Sequence, residues 1–131
     1  MIFFLDTNIV IYLVDQHPTF GPKARTRLAT ARAAGDLIQI SDLTRMECLV
    51  LPLRAGDVAA QRVFQGFFAL TTVVPITPAV CDRAALIRAT HHFKPMDSLQ
   101  LAAAVEHGAN VFLTNDARLS SFTGLTVEVL T

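Results

Sequence analysis

The chain has 131 residues, and its eleven acidic side chains are matched by eleven basic ones. That length suits one compact domain spanning residues 1–131, and 52% hydrophobic against 17% charged residues excludes a disordered chain. Zero net charge does not advertise nucleic-acid binding, yet nine of the eleven bases are Arg, the side chain suited to bidentate phosphate contacts.

Ile2–Leu5 is a short apolar run and reads as a buried central strand, with Asp6-Thr7-Asn8 at its end and a helix from Ile9 to Val14. His17-Pro18 and Gly21-Pro22 break the chain before an Ala- and Arg-rich helix, Lys23–Ala34, closed by Gly35. Leu37–Ile40 is the second strand. Ser41 or Asp42 then caps a helix running to about Arg54, which Pro52 is expected to kink or stop early. Asp57 opens Val58–Leu70, whose Phe64, Phe67 and Phe68 share an apolar side and read chiefly as core. Thr71–Ile76 is a third strand, and Thr77-Pro78 starts a helix reaching about Thr90. A loop over His91–Met96 precedes a helix opened by Asp97 and spanning Ser98–His107. Asn110–Leu113, the turn Ala117–Ser121 and a last strand Leu125–Leu130 complete the pattern. Strands alternating with helices predict an α/β/α sandwich on a mostly parallel sheet.

Two cysteines, Cys48 and Cys81, stand alone in apolar helical stretches and read as buried thiols of a reducing cytoplasm. The apolar N-terminus lacks the basic stretch of a signal peptide, is interrupted by Asp6 and Asn8, and is too short to span a membrane.

Four acids stand out. Asp6 and Asp116 follow predicted parallel strands, at the carboxyl edge where open α/β sheets bind ligands. Asp97 opens a helix, and Glu47 sits in the apolar stretch Met46–Leu51, where an uncompensated charge is costly. A divalent cation with hard oxygen ligands would compensate all four. Each acid also has a local explanation: Asp6 and Asp97 as helix caps, Thr44-x-x-Glu47 as a capping box, Asp116 as part of an Asx turn. If four acids hold metal, seven face eleven bases, and the rest of the surface carries four excess positive charges. Arg25, Arg27 and Arg32 then read either as an RNA-tracking row or as a solvated helix face.

These acids fall in an ordered set of motifs that resembles the PIN domains. Asp6-Thr7-Asn8 is similar to their opening motif, Thr44-Arg45-Met46-Glu47 to the second, the Asp97–Ala104 segment to the third, and Thr114-Asn115-Asp116 to the fourth. Length and motif style are closest to the VapC toxins of bacterial and archaeal toxin–antitoxin pairs. The resemblance implies a PIN-like fold and a metal-dependent endoribonuclease. In it Asp6, Glu47, Asp97 and Asp116 hold Mg2+, or alternatively Mn2+, with Asp6 and Asp97 as the most direct ligands. Thr7, Asn8, Thr114 and Asn115 would shape the site by hydrogen bonds. Ser98 and Gln100 stand where the family commonly has small or apolar residues, a departure expected to matter little.

Such chemistry needs no general-base histidine, and His91-His92 reads as a solvated loop pair rather than a catalytic one. The competing readings are a haloacid-dehalogenase-type phosphatase, which needs a second Asp where Asn8 stands, and a PIN-like fold kept only for binding. A response-regulator receiver lacks its acidic pair here. The expected partners are an RNA substrate, a cognate antitoxin suggested by the resemblance, and a second copy of the chain, since the apolar content is high for a small monomer.

Overall fold

The computed structural model describes residues 1–131. The strands are β1 (Ile2–Leu5), β2 (Leu37–Ser41), β3 (Thr72–Val74), β4 (Val111–Thr114) and β5 (Thr126–Val129). The helices are α1 (Thr7–Val14), α2 (Phe20–Ala33), α3 (Asp42–Ala55), α4 (Val58–Ala69), α5 (Pro78–His91) and α6 (Pro95–Glu106), with a 3-10 turn over Ala117–Ser121. The five strands form one sheet in the order β3-β2-β1-β4-β5, parallel throughout.

Alternation along the central strands divides the core in two. Phe3 and Leu5 of β1, with Val111 and Leu113 of β4, join Ile9, Leu28, Cys48, Phe64 and Phe68 on the α1–α4 side. Phe4 and Phe112 point the other way and stack with ring centroids 5.5 Å apart, against α5, α6 and the 3-10 turn. Helices thus cover both faces, which is why β1 and β4 are apolar without a polar side. Ala102, Ala103 and Ala104 are completely buried, their small side chains letting α6 lie close to its neighbours. Gly21 serves the same end at the start of α2, where a Cβ would stand 3.1 Å from the Tyr12 carbonyl oxygen.

Several boundaries differ from the sequence reading. α2 begins at Phe20, because Gly21 and Pro22 fall in its first turn, where a missing N–H costs no helical bond. α3 continues through buried Pro52 to Ala55 and ends on Gly56 in the left-handed conformation at φ 64°. α5 extends to His91, and α6 starts at Pro95 after Lys94, so the expected loop shrinks to a short link and Asp97 lies inside the first turn rather than at the cap. Thr44 forms no capping box, since Ser41 is the N-cap and its side chain accepts from the Leu43 N–H. Cys48 is buried, but Cys81 is exposed, so only one thiol belongs to the core. No helix is long and apolar enough to cross a membrane.

Candidate active site

Strand order reverses between β1 and β4: successive crossovers step one way from β1 through β2 to β3, and the chain then returns to add β4 and β5 on the other side. Such a switch point leaves a crevice beyond the carboxyl ends of the two strands. Asp6 follows β1 and Asp116 stands two residues beyond β4. α3 brings Glu47 and α6 brings Asp97 to the same place. The result is a pocket of about 180 Å3 lined by Asp6, Thr7, Asn8, Glu47, Lys94, Met96, Asp97, Gln100, Asp116 and Arg118.

Asp6 is more enclosed than Asp97 or Asp116. Its Oδ1 accepts from the Thr7 N–H at 2.8 Å and its Oδ2 from the Thr114 hydroxyl at 2.7 Å. Burial nevertheless pushes its pKa from 3.8 up to about 6, with the negative charges of Asp97 and Glu47 adding to the push and the two hydrogen bonds opposing it. Asp6 does cap α1, as its local explanation required. That role occupies one bond and leaves the carboxylate at the pocket.

Glu47, on α3, is fixed by neighbours on two other elements, α1 and α6. The Thr7 hydroxyl donates to its Oε1 at 2.7 Å, and Gln100 Nε2 approaches the same oxygen at 3.5 Å. Gln100 is buried and ties the pocket floor together. Its amide donates to Thr7 Oγ at 3.1 Å and Thr44 Oγ at 3.0 Å, while its Oε1 accepts from the Ser41 hydroxyl at 2.7 Å. The departure from the family pattern expected to be inconsequential is therefore the hub of a buried polar network. A Gln at the head of the α6 stretch that goes on to bury Leu101 and three alanines was the visible signal.

The outer rim is different. Asp97 is half-buried, and desolvation followed by the charge of Asp116 raises its pKa against the opposing pull of Arg118 and Lys94. Asp116 is held below the ordinary carboxylate range, first by the hydrogen bond from Arg118. It also caps the 3-10 turn through the Arg118 N–H. Asn115 lies to the side, donating to the Tyr12 hydroxyl at 2.6 Å and accepting from Asn8 Nδ2 at 3.3 Å. Thr114 therefore orients Asp6 directly, whereas Asn8 and Asn115 brace the loop ends against α1.

All four acids line one pocket, but no three of them already stand in an arrangement that would grip a single ion. Asp116 is drawn toward Arg118, and Glu47 toward Thr7 and Gln100. The donor set still fits a hard divalent cation: it is made of carboxylate oxygens, and burial first, with the charges of neighbouring acids adding to it, raises Asp6 and Asp97. Lys94, Met96 and Arg118 complete the lining and were not among the expected site residues. His91 and His92 do not line it; His91 stacks on Phe93 at 5.1 Å and meets Phe122 edge-on.

A doubly wound parallel sheet with helices on both faces and an acidic pocket at its switch point defines the class. Within it, the PIN domain model matches residues 3–125, and the chain belongs to the PIN domain family. That membership sets aside the dehalogenase-type reading. No curated protein sequence matches significantly. Among solved structures, one similar in fold is VapBC2 from Rickettsia felis bound to a DNA fragment from their promoter, at TM-score 0.84 and 19% identity over all of both chains. A toxin–antitoxin complex from Klebsiella pneumoniae follows at TM-score 0.79 and 21% identity, covering 98% of this chain and 97% of that one. Mycobacterium tuberculosis VapC20, a Sarcin-Ricin loop cleaving toxin, gives TM-score 0.75 and 16% identity over 95% and 98% of the two chains.

Proposed function

We propose that the chain is a metal-dependent endoribonuclease, the toxin of a VapBC-type pair, with Asp6, Glu47, Asp97 and Asp116 holding Mg2+ and Mn2+ as the alternative ion. The observation that carries this reading is the meeting of four carboxylates from four separate elements at the sheet's switch point. Local caps account for Asp6 and Asp116 singly, but not for Glu47 and Asp97 turning to the same pocket.

Held by these carboxylates, a divalent cation would supply activation of water and stabilisation of charge on the phosphoryl and leaving oxygens. The chain's own residues hold the geometry. Thr7 and Thr114 orient Asp6, Thr7 and Gln100 orient Glu47, and the first turn of α6 presents Asp97. Lys94 and Arg118 bring positive charge to the pocket lining, where an RNA backbone requires it. Arg27, by contrast, is engaged with Glu128 through two bonds and lies over the Phe3 ring.

The antitoxin reading is supported by an apolar groove beside the pocket. Ile11, Cys48, Leu51, Pro52 and Phe64 line it, with Asp15 and Asp57 also contributing. Exposed Leu51, Leu53, Val58 and Val63 extend the apolar surface of α3 and α4. These surfaces also support a homodimer, and two free cysteines suit a reducing cytoplasm. The test is cleavage of RNA by the purified chain with Mg2+, with excess EDTA, and by Asp97→Asn. Activity is expected only in the first; undiminished cleavage by Asp97→Asn, or in EDTA, refutes the mechanism. Light scattering at micromolar concentration is expected to give twice the chain mass, and a monomer would refute the dimer.

A further inference from the structure

The four acids are not balanced alike. Asp6 and Glu47 are held by neutral donors: a backbone N–H, two threonine hydroxyls and an amide. Asp116 is neutralised by a cation from its own turn. Arg118 Nε donates to Asp116 Oδ1 at 2.9 Å and to Oδ2 at 3.1 Å, Nη2 donates to Oδ2, and the Arg118 N–H donates to Oδ1 at 3.0 Å. Both carboxylate oxygens thus receive donors from one residue.

The two partners sit differently. The Arg118 side chain is 65% exposed and that of Asp116 24%. The guanidinium therefore covers the carboxylate from the solvent side. Its long stem leaves it free to turn away without disturbing the core. A divalent cation on Asp116 would meet the guanidinium as a like charge, and a guanidinium leaving a carboxylate is matched in shape and charge by a phosphate.

We propose that Arg118 is an exchangeable counter-ion of this site: it occupies Asp116 until a divalent cation takes that carboxylate, and then transfers to a phosphate of the RNA strand at the pocket. The inference rests on the ribonuclease reading and adds that cation and RNA bind cooperatively through one side chain. Arg118 is then a phosphate ligand whose availability the cation controls.

Two cleavage-free measurements test it. In the first, Mn2+ is titrated calorimetrically into the wild-type chain, Arg118→Ala and Asp6→Asn. Arg118→Ala is expected to bind Mn2+ about fivefold more tightly, at the low end of the range for coupled sites. Equal affinity of wild type and Arg118→Ala, with binding still lost in Asp6→Asn, overturns the exchange and leaves the metal reading standing. Binding indifferent to Asp6→Asn overturns the metal reading and the exchange with it.

In the second, a mixed-sequence single-stranded RNA oligonucleotide is titrated in EDTA. Asp116→Asn frees Arg118 and is expected to tighten RNA binding beyond Glu47→Gln, which removes the same charge without touching the guanidinium. The doubly substituted Asp116→Asn, Arg118→Ala chain is expected to lose that gain, and its log–log salt slope to be shallower by about 0.7, the value for one single-strand phosphate contact. A gain no larger than that of Glu47→Gln, or one retained in the double variant, overturns the proposal.

Discussion

The inner wall of the pocket and its outer rim carry the same residue type under opposite conditions. Asp6 and Asp116 both follow central strands that pair directly, β1 and β4. Asp6 is enclosed, its charge is opposed by burial and by Asp97 and Glu47, and its pKa rises to about 6. Asp116 faces an exposed guanidinium and is lowered. A carboxylate's behaviour at a strand end is therefore set by what the neighbouring elements place against it, not by its position in the sheet.

The largest expected effect is on catalysis. Asp6→Asn should reduce RNA cleavage by at least about a hundredfold, the upper range for losing even an indirect partner of a metal. Asp116→Asn should cost markedly less, because Asp116 stands on the open rim of the pocket whereas Asp6 is enclosed at its inner wall. Single-turnover rates at saturating Mg2+ check the ranking, and equal losses would erase the distinction between wall and rim.

Next comes pH. In chelator-treated protein, Asp6 holds its proton more tightly folded than unfolded across the window from 3.8 to about 6. Stability should therefore fall as pH rises through that window, by on the order of 2–3 kcal/mol, and should not recover above it through this group. Asp116 acts in the opposite sense: its lowered pKa contributes stability above the ordinary carboxylate range that is lost on acidification. Urea unfolding at several pH values is the measurement. A fall that persists undiminished in Asp6→Asn would show that burial of this carboxylate is not its source.

Cation binding to the folded state alone should raise the melting midpoint at neutral pH, by about 2.7 kcal/mol of stability at a hundredfold excess over the dissociation constant. Thermal melts with Mg2+ and with EDTA read this directly, and Asp6→Asn should abolish the shift. A shift retained in that variant would move the ion away from the inner wall.

The floor beneath the wall gives a comparable but smaller effect. Gln100→Leu removes the acceptor of the buried Ser41 O–H and the amide donor to the Thr44 hydroxyl, and should cost about 1–3 kcal/mol in urea unfolding. Arg118→Ala, on the exposed rim, removes the main support of Asp116's lowered pKa but should shift the unfolding midpoint less than Gln100→Leu, because solvent screens that pair. A neutral Gln100→Leu would mean that the polar network holds Glu47 in place without stabilising the fold.

Much of the fold was legible because its signals are local. The apolar runs at Ile2–Leu5 and Val111–Leu113, the caps at Ser41, Asp57 and Thr77, and the Ala-rich stretch before Gly108 each mark an element through short-range sterics and hydrogen bonding. So were the four acids, since a charge beside a buried strand or within an apolar helix is conspicuous on its own. Less visible were the start of α6 at Pro95 and the entry of Gly21 and Pro22 into α2, where packing outweighs the breaking tendency of single residues.

What the chain determined by itself is therefore the elements, their alternation and the identity of the acids, all of them properties of neighbours a few residues apart. The tertiary structure alone decided that Gln100 reaches Ser41, Thr44 and Glu47 across the core, and that Arg118 turns back to cover Asp116 while Lys94 joins the same lining. Ser41 and Gln100 are 59 residues apart, so no local pattern reports their bond. The balance of charge in the pocket is likewise a sum over side chains from several elements, and burial and distance, which set each carboxylate's pKa, exist only once those elements have packed.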